Sequence, residues 1–356
     1  MTTPLRYGLI GTGMMGLEHQ RNLNALDGVL VVAAADPHPA SLDAARFTAE
    51  GRELDCFENY RDLLAADMCD VYVISSPNMT HRAVLDDVMA TGRHIVIEKP
   101  LCTTVEDAAH IRDLAADYPA LFWVGLEYRY MPAITRAIDI AHSGDLGEVH
   151  MIAIREHRHP FLVKVDNWNR FSANTGGTLV EKCCHFFDLM RLIARANPMR
   201  VMASGGQNVN HLDEFYAGQR SDILDNALVI VEFENGVRSS LDLSMFAEGS
   251  QHHEELSVVG SRGTVEAFLP SGELRVGLRS GGTRGVSTSV MHNDAVRVEG
   301  FHHGASYLEH LDILAAIRAD SSALVTAEDG WWSVVMGAAA HRSIDERRSV
   351  EISEFL

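Results

Sequence analysis

At 356 residues, with 46% hydrophobic and 22% charged side chains, the chain is long enough for two domains, each with its own core. Its formal charge of −19, from 30 basic and 49 acidic residues, argues against nucleic acid as a partner, because a polyanion needs a basic footprint. No apolar run approaches the roughly 18 residues of a membrane helix, no signal region opens the chain, and the five cysteines form no spaced framework, so a cytoplasmic protein with free thiols and no membrane partner is expected.

The first apolar segment, "RYGLIG", runs as a strand into Gly11-x-Gly13-x-x-Gly16 and then a helical pattern. Gly11 suits a tight turn, Gly13 lets the backbone approach a pyrophosphate, and Gly16 permits close packing of helix on strand. The helix start offers free N–H groups and the positive dipole end to phosphate, which adds Met14 and Met15 to the candidate cofactor contacts. The second strand, "VLVVAAAD", ends on Asp36, 20 residues beyond Gly16. A carboxylate there accepts hydrogen bonds from ribose hydroxyls and repels a 2′-phosphate, so NAD is expected rather than NADP. The competing reading of Asp36 is a helix cap before Pro37.

Strands and helices then alternate through "DVYVISSP", "HRAVLDDVMATG", "HIVIEKP", "TTVEDAAHIRDLAADY" and "LFWVGL". The pattern predicts an α/β domain over residues 1–126, a doubly wound parallel sheet that holds ligands at the carboxyl ends of its strands. Ser75, Ser76, Pro77, Asn78, Glu98 and Lys99 fall at such ends and are candidate contacts. Pro100 biases Lys99 toward an extended backbone. Its ammonium then either donates to a substrate hydroxyl and stabilises a developing alkoxide, or lies exposed in a loop.

Residues 127–356 predict an α+β domain. "MPAITRAIDIAHSGDLG" is a helix closing on a Gly turn, and "EVHMIAIREHR", "NALVIVEFENGVRSSLDLSMF", "EELSVVGSRGTVEAF" and "ELRVGLR" are strands of a large, mostly antiparallel sheet. "ASYLEHLDILAAIRA" and "EDGWWSVVMGAAAHRSIDE" are helices, and "SGGTRGVSTSVMHNDAV" is a mobile loop. The pairs His252–His253 and His302–His303 lack supporting ligand spacing, so surface histidines are expected and no metal site.

"GGTLVEKCCHFFDL" sets charged residues in an apolar stretch. As one helix over 178–194 it places Leu179, Cys183, Phe186, Phe187 and Met190 on an apolar face, with Glu181, His185 and Asp188 on another side. The vicinal cysteines suit packing better than zinc or redox chemistry. Glu181 can be the end of a capping box begun by Thr178, or an acid that orients His185 as general base.

With these segments in place, the chain resembles the Gfo/Idh/MocA oxidoreductases over nearly its whole length. The resemblance runs through "GLIGTGMMG", "SSPNMTHRAV", "EKPLCTTVEDA", "GLEYRYMPAI", "GDLGEV", "DNWNRF", "GGTLVEKCCHFFDL" and "VTAEDGWWSVVMGAAAHRS". It implies a Rossmann domain followed by an open-faced sheet that often mediates dimers or tetramers, and hydride exchange between NAD(P) and a ring or polyol carbon. The family's catalytic lysine falls on Lys99, and its acid and histidine on Glu181 and His185. Its Trp-Arg pair near the cofactor is approximated by Trp168 and Arg170, while His81 and Glu127 join the candidate cofactor contacts. Glu for the usual Asp lengthens that arm by a methylene, and Lys182 and Cys184 stand where apolar residues or glycine are usual.

Arg155, His157, Arg158, His159, Lys164 and Arg170 make a local basic excess that Lys182 can join. The expectation is a pocket for an anionic sugar, against the plainer reading of a charged strand and loop. Candidate substrate contacts are thus Lys99, Tyr128, Arg155, His157, Arg158, Lys164, Lys182 and His185. The expected function is NAD-dependent oxidation of a sugar or polyol hydroxyl by a homodimer or homotetramer. An NAD-dependent glycosidase working by transient oxidation, elimination, water addition and re-reduction is the nearest alternative, and a non-catalytic NAD sensor a more distant one.

Overall fold

The computed structural model describes residues 3–356. Two compact units emerge. One holds the N-terminal segment through Glu127 with Lys164–Trp168 and Ala295–Val334; the other holds Tyr128–Val163, Asn169–Asp294 and Val335–Leu356.

The first unit starts with the strand Leu5–Ile10 (β1), the helix Met14–Asn24 (α1) and the strand Val29–Ala35 (β2). It continues through Pro39–Thr48 (α2), Asp55–Phe57 (β3), Tyr60–Ala65 (α3), Val71–Ile74 (β4), His81–Met89 (α4), His94–Glu98 (β5), Val105–Ala115 (α5) and Phe122–Gly125 (β6). The strands pair in parallel in the order β3-β2-β1-β4-β5-β6. β4 and β6 are buried at every position, as parallel strands covered on both faces must be. The order reverses between β1 and β4, so the crevice of a doubly wound sheet opens beside the first glycine loop. α5 starts where expected because the Thr104 hydroxyl accepts from the Asp107 N–H at 3.1 Å, with Glu106 and Asp107 at its positive end.

The second unit contains Pro132–Ser143 (α6), Val149–His157 (β7), Ser172–Thr175 (α7), Thr178–Glu181 (α8), Cys184–Ala194 (α9) and Pro198–Gly206 (β8). A small hairpin follows, Phe215–Tyr216 (β9) and Gln219–Arg220 (β10). Then come Asn226–Phe233 (β11), Arg238–Ser244 (β12), Glu254–Gly260 (β13), Gly263–Leu269 (β14), Glu273–Leu278 (β15) and Val286–Val290 (β16). Ala305–Ala319 (α10) belongs to the first unit, and Ala327–Glu346 (α11) and Val350–Glu351 (β17) complete the chain. Nine strands form one sheet, β16-β15-β14-β13-β7-β12-β11-β8-β17, antiparallel except at β7–β12. Along β7, Ile152, Ile154 and Glu156 are buried on the face that α9 packs against. Met151 (57% exposed), Leu228 (61%) and Ile230 (44%) lie on the opposite, open face.

Three expectations change. The mobile loop contains an edge strand, β16, paired with β15. The helix over 178–194 is two pieces: Cys183 N–H reaches back five residues to Thr178 O (3.4 Å), and α9 restarts after it. The capping box is absent, since Gly177 holds the N-cap position and the Thr178 hydroxyl donates instead to Leu224 O at 2.6 Å.

The start of α8 depends on a buried histidine. Leu179 N–H donates to His341 Nε2 at 3.1 Å, so that nitrogen must be unprotonated. Burial pulls His341 down to about 4. Between pH 6.5 and 4 the unfolded chain therefore binds a proton that the folded protein refuses, and stability falls as pH falls through that window, by on the order of 3 kcal/mol. His341→Gln keeps an acceptor without the titration. Thermal melts of the variant should show a flatter decline over this range than wild type; an unchanged decline would assign the acid loss elsewhere.

Candidate functional site

In the first unit the glycine loop has the shape its sequence implies. Gly11 sits at φ +91°, where a Cβ would come 2.6 Å from Ser76 N, and a Cβ on Gly16 would come 2.2 Å from Gly11 O. A Cβ on Gly13 would meet nothing within 4 Å. Gly13 is also the N-cap of α1 and no side chain caps that helix, so open space lies over uncapped first-turn N–H groups. Met14 and Met15 flank it half-buried. Asp36 is buried at the end of β2 and ties the loop down, accepting from Thr12 N (2.8 Å) and His38 N (2.9 Å). Asp36 does not cap α2, whose N-cap is His38 with no side-chain cap; its carboxylate instead fixes the glycine loop through Thr12, a contact no spacing rule revealed.

The ends of β4 and β5 are braced from behind. Ser75 Oγ donates to Gly11 O at 2.8 Å. His81 is fully buried between two carbonyls, Pro100 O (2.8 Å) and Ser76 O (3.0 Å), and burial lowers its pKa. A neutral ring has one N–H and so donates to one of these carbonyls only; His81 sits between the two strand-end loops. Glu98 is likewise enclosed. Its Oε1 faces His19 Nε2 at 2.9 Å, its Oε2 accepts from Lys99 N at 3.1 Å, and His19 Nδ1 meets His310 Nε2 at 2.8 Å. Burial alone would raise the Glu98 carboxyl, yet the His19 hydrogen bond and the charges of His19 and Lys99 hold it low. Burial pulls His310 well down, so it stays neutral. This buried His–His–Glu chain braces the strand end that carries half-buried Lys99.

His302 is not the surface histidine expected. At 19% side-chain exposure it lies between Glu18 (3.6 Å) and Glu127 (3.4 Å). Burial raises the Glu127 carboxyl against the opposing pull of His302, so Glu127 acts within this charge cluster. Nothing local in the sequence announces pairings across such separations.

The second unit gathers Tyr128, Glu156, Arg158, Lys182, His185 and Glu254. Lys182 Nζ lies 2.9 Å from Glu156 Oε1 and donates to the Tyr128 hydroxyl at 2.6 Å, and that hydroxyl donates to Glu254 Oε1 at 2.9 Å. Arg158 Nη1 reaches Glu156 Oε1 at 3.2 Å. The rings of Tyr128 and His185 stack at 4.0 Å and 7°. Glu181 and His185 are both buried, at 4% and 1% exposure, on the two helical pieces either side of the break. Asp188, the third polar residue of that stretch, is held by Arg129, whose Nε donates to Oδ2 at 2.6 Å.

The basic segment does not form the single pocket expected. Strand alternation turns Arg155 and His157 to the open face, where they pair with Glu255 and Asp242 (3.1 Å). Arg158 and Lys182 share Glu156 within the covered face, and Lys164 belongs to the first unit, its Nζ 5.3 Å from the Trp168 ring centre.

Comparison with known proteins settles the family. A model described as oxidoreductase family, NAD-binding Rossmann fold, matches residues 5–126, and one described as oxidoreductase family, C-terminal alpha/beta domain, matches residues 141–352. The chain belongs to the Gfo/Idh/MocA oxidoreductase family. It is 26% identical to an inositol 2-dehydrogenase of Rhizobium meliloti over 98% of this chain and 99% of that protein. It is 24% identical to a myo-inositol 2-dehydrogenase of Thermotoga maritima over 99% and 100%. A levoglucosan dehydrogenase structure with NADH and levoglucosan shares the fold at TM-score 0.87 and 21% identity, covering 98% and 100% of the two chains.

As a Gfo/Idh/MocA oxidoreductase the protein binds NAD, and its residues fit that group: glycines where a Cβ would clash or fill the cradle, uncapped N–H groups at α1, and an acid at the end of β2. The Trp-Arg pair of the resemblance falls on the boundary between the two units. Trp168 lies in the first unit, two residues from Asp166, whose Oδ2 is 3.4 Å from His38 Nε2. Arg170 is 2% exposed in the second unit, donating to Phe161 O and Glu214 at 3.2 Å each.

Proposed function

We propose that this protein is an NAD-dependent dehydrogenase that oxidises a hydroxyl of a sugar or polyol. The observation that carries the reading is Lys99 at the carboxyl end of β5, the ligand edge of the sheet, in a chain matching an inositol 2-dehydrogenase over nearly the full length of both. NAD, when bound, supplies the acceptor for the hydride leaving the carbinol carbon. Lys99 donates to the substrate oxygen and stabilises negative charge as it develops. His185 takes the hydroxyl proton, Glu181 stabilises the resulting imidazolium, and a ketone is left.

An uncharged substrate suits the second unit better than an anionic one, because Arg155, His157, Arg158 and Lys182 are already paired with Glu255, Asp242 and Glu156. Association of copies through the open sheet face, with Met151, Leu228 and Ile230 on it, belongs to the same proposal. Light scattering of the purified protein is expected to report a dimer or tetramer; a monomer would remove that part.

The test is incubation with NAD⁺ and a panel of neutral and anionic sugars, polyols and aryl glycosides, following NADH and released aglycone together. NADH rising with a neutral sugar or polyol is the expected result. NADH rising only with anionic sugars would overturn the charge argument. Aglycone released without net NADH, and only with NAD⁺ present, would replace the dehydrogenase by a redox-cycling glycosidase.

A further inference from the structure

Lys182 is a buried lysine of the second unit that the proposed reaction leaves unused. A lysine at 5% exposure in an apolar stretch looks like a substrate ligand until its partners are counted. Its ammonium is 2.9 Å from Glu156 Oε1 and 2.6 Å from the Tyr128 oxygen, and it lies 4.8 Å from the Tyr128 ring centre. Glu156 is fully buried on the covered face of β7, so moving Lys182 toward a ligand would take away the nearer of the two cations on that carboxylate, the other being Arg158 at 3.2 Å. Breaking a buried ion pair by withdrawing one partner is strongly unfavourable, and an ammonium so placed is a fixed part of the scaffold.

What this fixed charge holds is the phenol of Tyr128. The Tyr128 hydroxyl receives from Lys182 and donates to Glu254 at 2.9 Å, so its oxygen is anchored by charged side chains from two directions. Phe186 meets the same ring edge-on, 5.7 Å away and inclined by 70°. The ring held this way lies flat on His185, 4.0 Å away and 7° from parallel. A proton acceptor works only when its lone pair stays aligned with the hydroxyl it serves, and a small angular error costs rate rather than substrate binding.

We propose that Lys182 is a positioning residue for His185, acting through the anchored ring of Tyr128 to fix the plane of the imidazole, and not a ligand of the substrate. This rests on the role of His185 as proton acceptor given above. Glu156 and Glu254 are the carboxylates that complete the clamp, which supplies a use for the charge at a position usually apolar in the family.

Steady-state kinetics of Lys182→Met and Tyr128→Phe, with the sugar found by the panel, test the proposal. Both should lower kcat by roughly tenfold or more while KM for the sugar stays within about twofold. Nitrogen-15 NMR of the His185 ring, assigned with His185→Asn, reads the clamp without turnover: one sharp signal in wild type should broaden or divide in both variants. A rise in KM at unchanged kcat would make Lys182 a substrate ligand and overturn the proposal. So would an unaltered His185 signal in Lys182→Met. If Lys182→Met does not fold, Glu156→Gln with Lys182→Met removes both charges together and is read the same way. A wild type that oxidises no sugar defeats the functional reading alone, since the NMR arm still decides the clamp.

Discussion

Gly13→Ala is expected to leave the melting temperature unchanged and to weaken NAD binding at least tenfold. Gly13 has φ −69° and ψ −161°, a conformation alanine adopts without strain, and its added methyl would meet nothing within 4 Å. The fold therefore has no reason to respond. That same open space lies over the uncapped start of α1, where a pyrophosphate must approach the backbone closely, and a methyl there holds it off. A loss of about 1.4 kcal/mol in binding already gives the tenfold change. Gly16→Ala is the contrast: its Cβ would lie 2.2 Å from Gly11 O, a backbone atom that cannot swing aside, so the melting temperature itself should fall. Thermal melts and NADH fluorescence titrations of the two variants separate the effects. Wild-type NAD affinity in Gly13→Ala would move the phosphate site away from this loop.

Lys99→Met is the second large effect, on rate alone. Turnover should fall by about a thousandfold or more, while NAD binding stays within about threefold. Methionine keeps an unbranched stem of similar length, and the features that fit NAD, namely the glycine loop, the α1 start and Asp36, lie on other strands. The backbone at Lys99 is held independently of its side chain, through Lys99 N to Glu98 Oε2 and Glu98 to His19. The variant thus removes the ammonium without releasing the strand end. Stopped-flow hydride transfer and NADH titration on one preparation measure both quantities. Retained turnover would take the alkoxide role away from Lys99.

The separation of brace from chemistry recurs in both units. His19 and His310 stand behind Glu98, and Tyr128 and Lys182 stand beside His185. In each case groups proposed to touch substrate are oriented by buried ionic contacts that never need to reach it.

The nucleotide cradle was legible because it is local. Strand, Gly11-x-Gly13-x-x-Gly16, helix, strand and Asp36 lie within one βαβ unit of the chain, so spacing along the sequence is also spacing in the fold. The parallel sheet was legible from alternating apolar and amphipathic segments, and α10 spans the segment "ASYLEHLDILAAIRA" read as a helix. Periodicity also carried an unread signal: Glu156 shares the buried parity of Ile152 and Ile154 in β7, while Arg155 and His157 take the open one.

What composition and pattern by themselves determined, then, is the class of protein: two domains, a doubly wound NAD-binding sheet, a large mostly antiparallel sheet, and a family shared along nearly the whole chain. Tertiary structure alone decided the partners of the buried polar groups. His19 finds His310 across 291 residues, Tyr128 finds Glu254 across 126, and Lys182 finds Tyr128 across 54. No local preference encodes such pairs, because a buried polar or charged group is stable only beside whichever hydrogen-bonding partner folding carries to it.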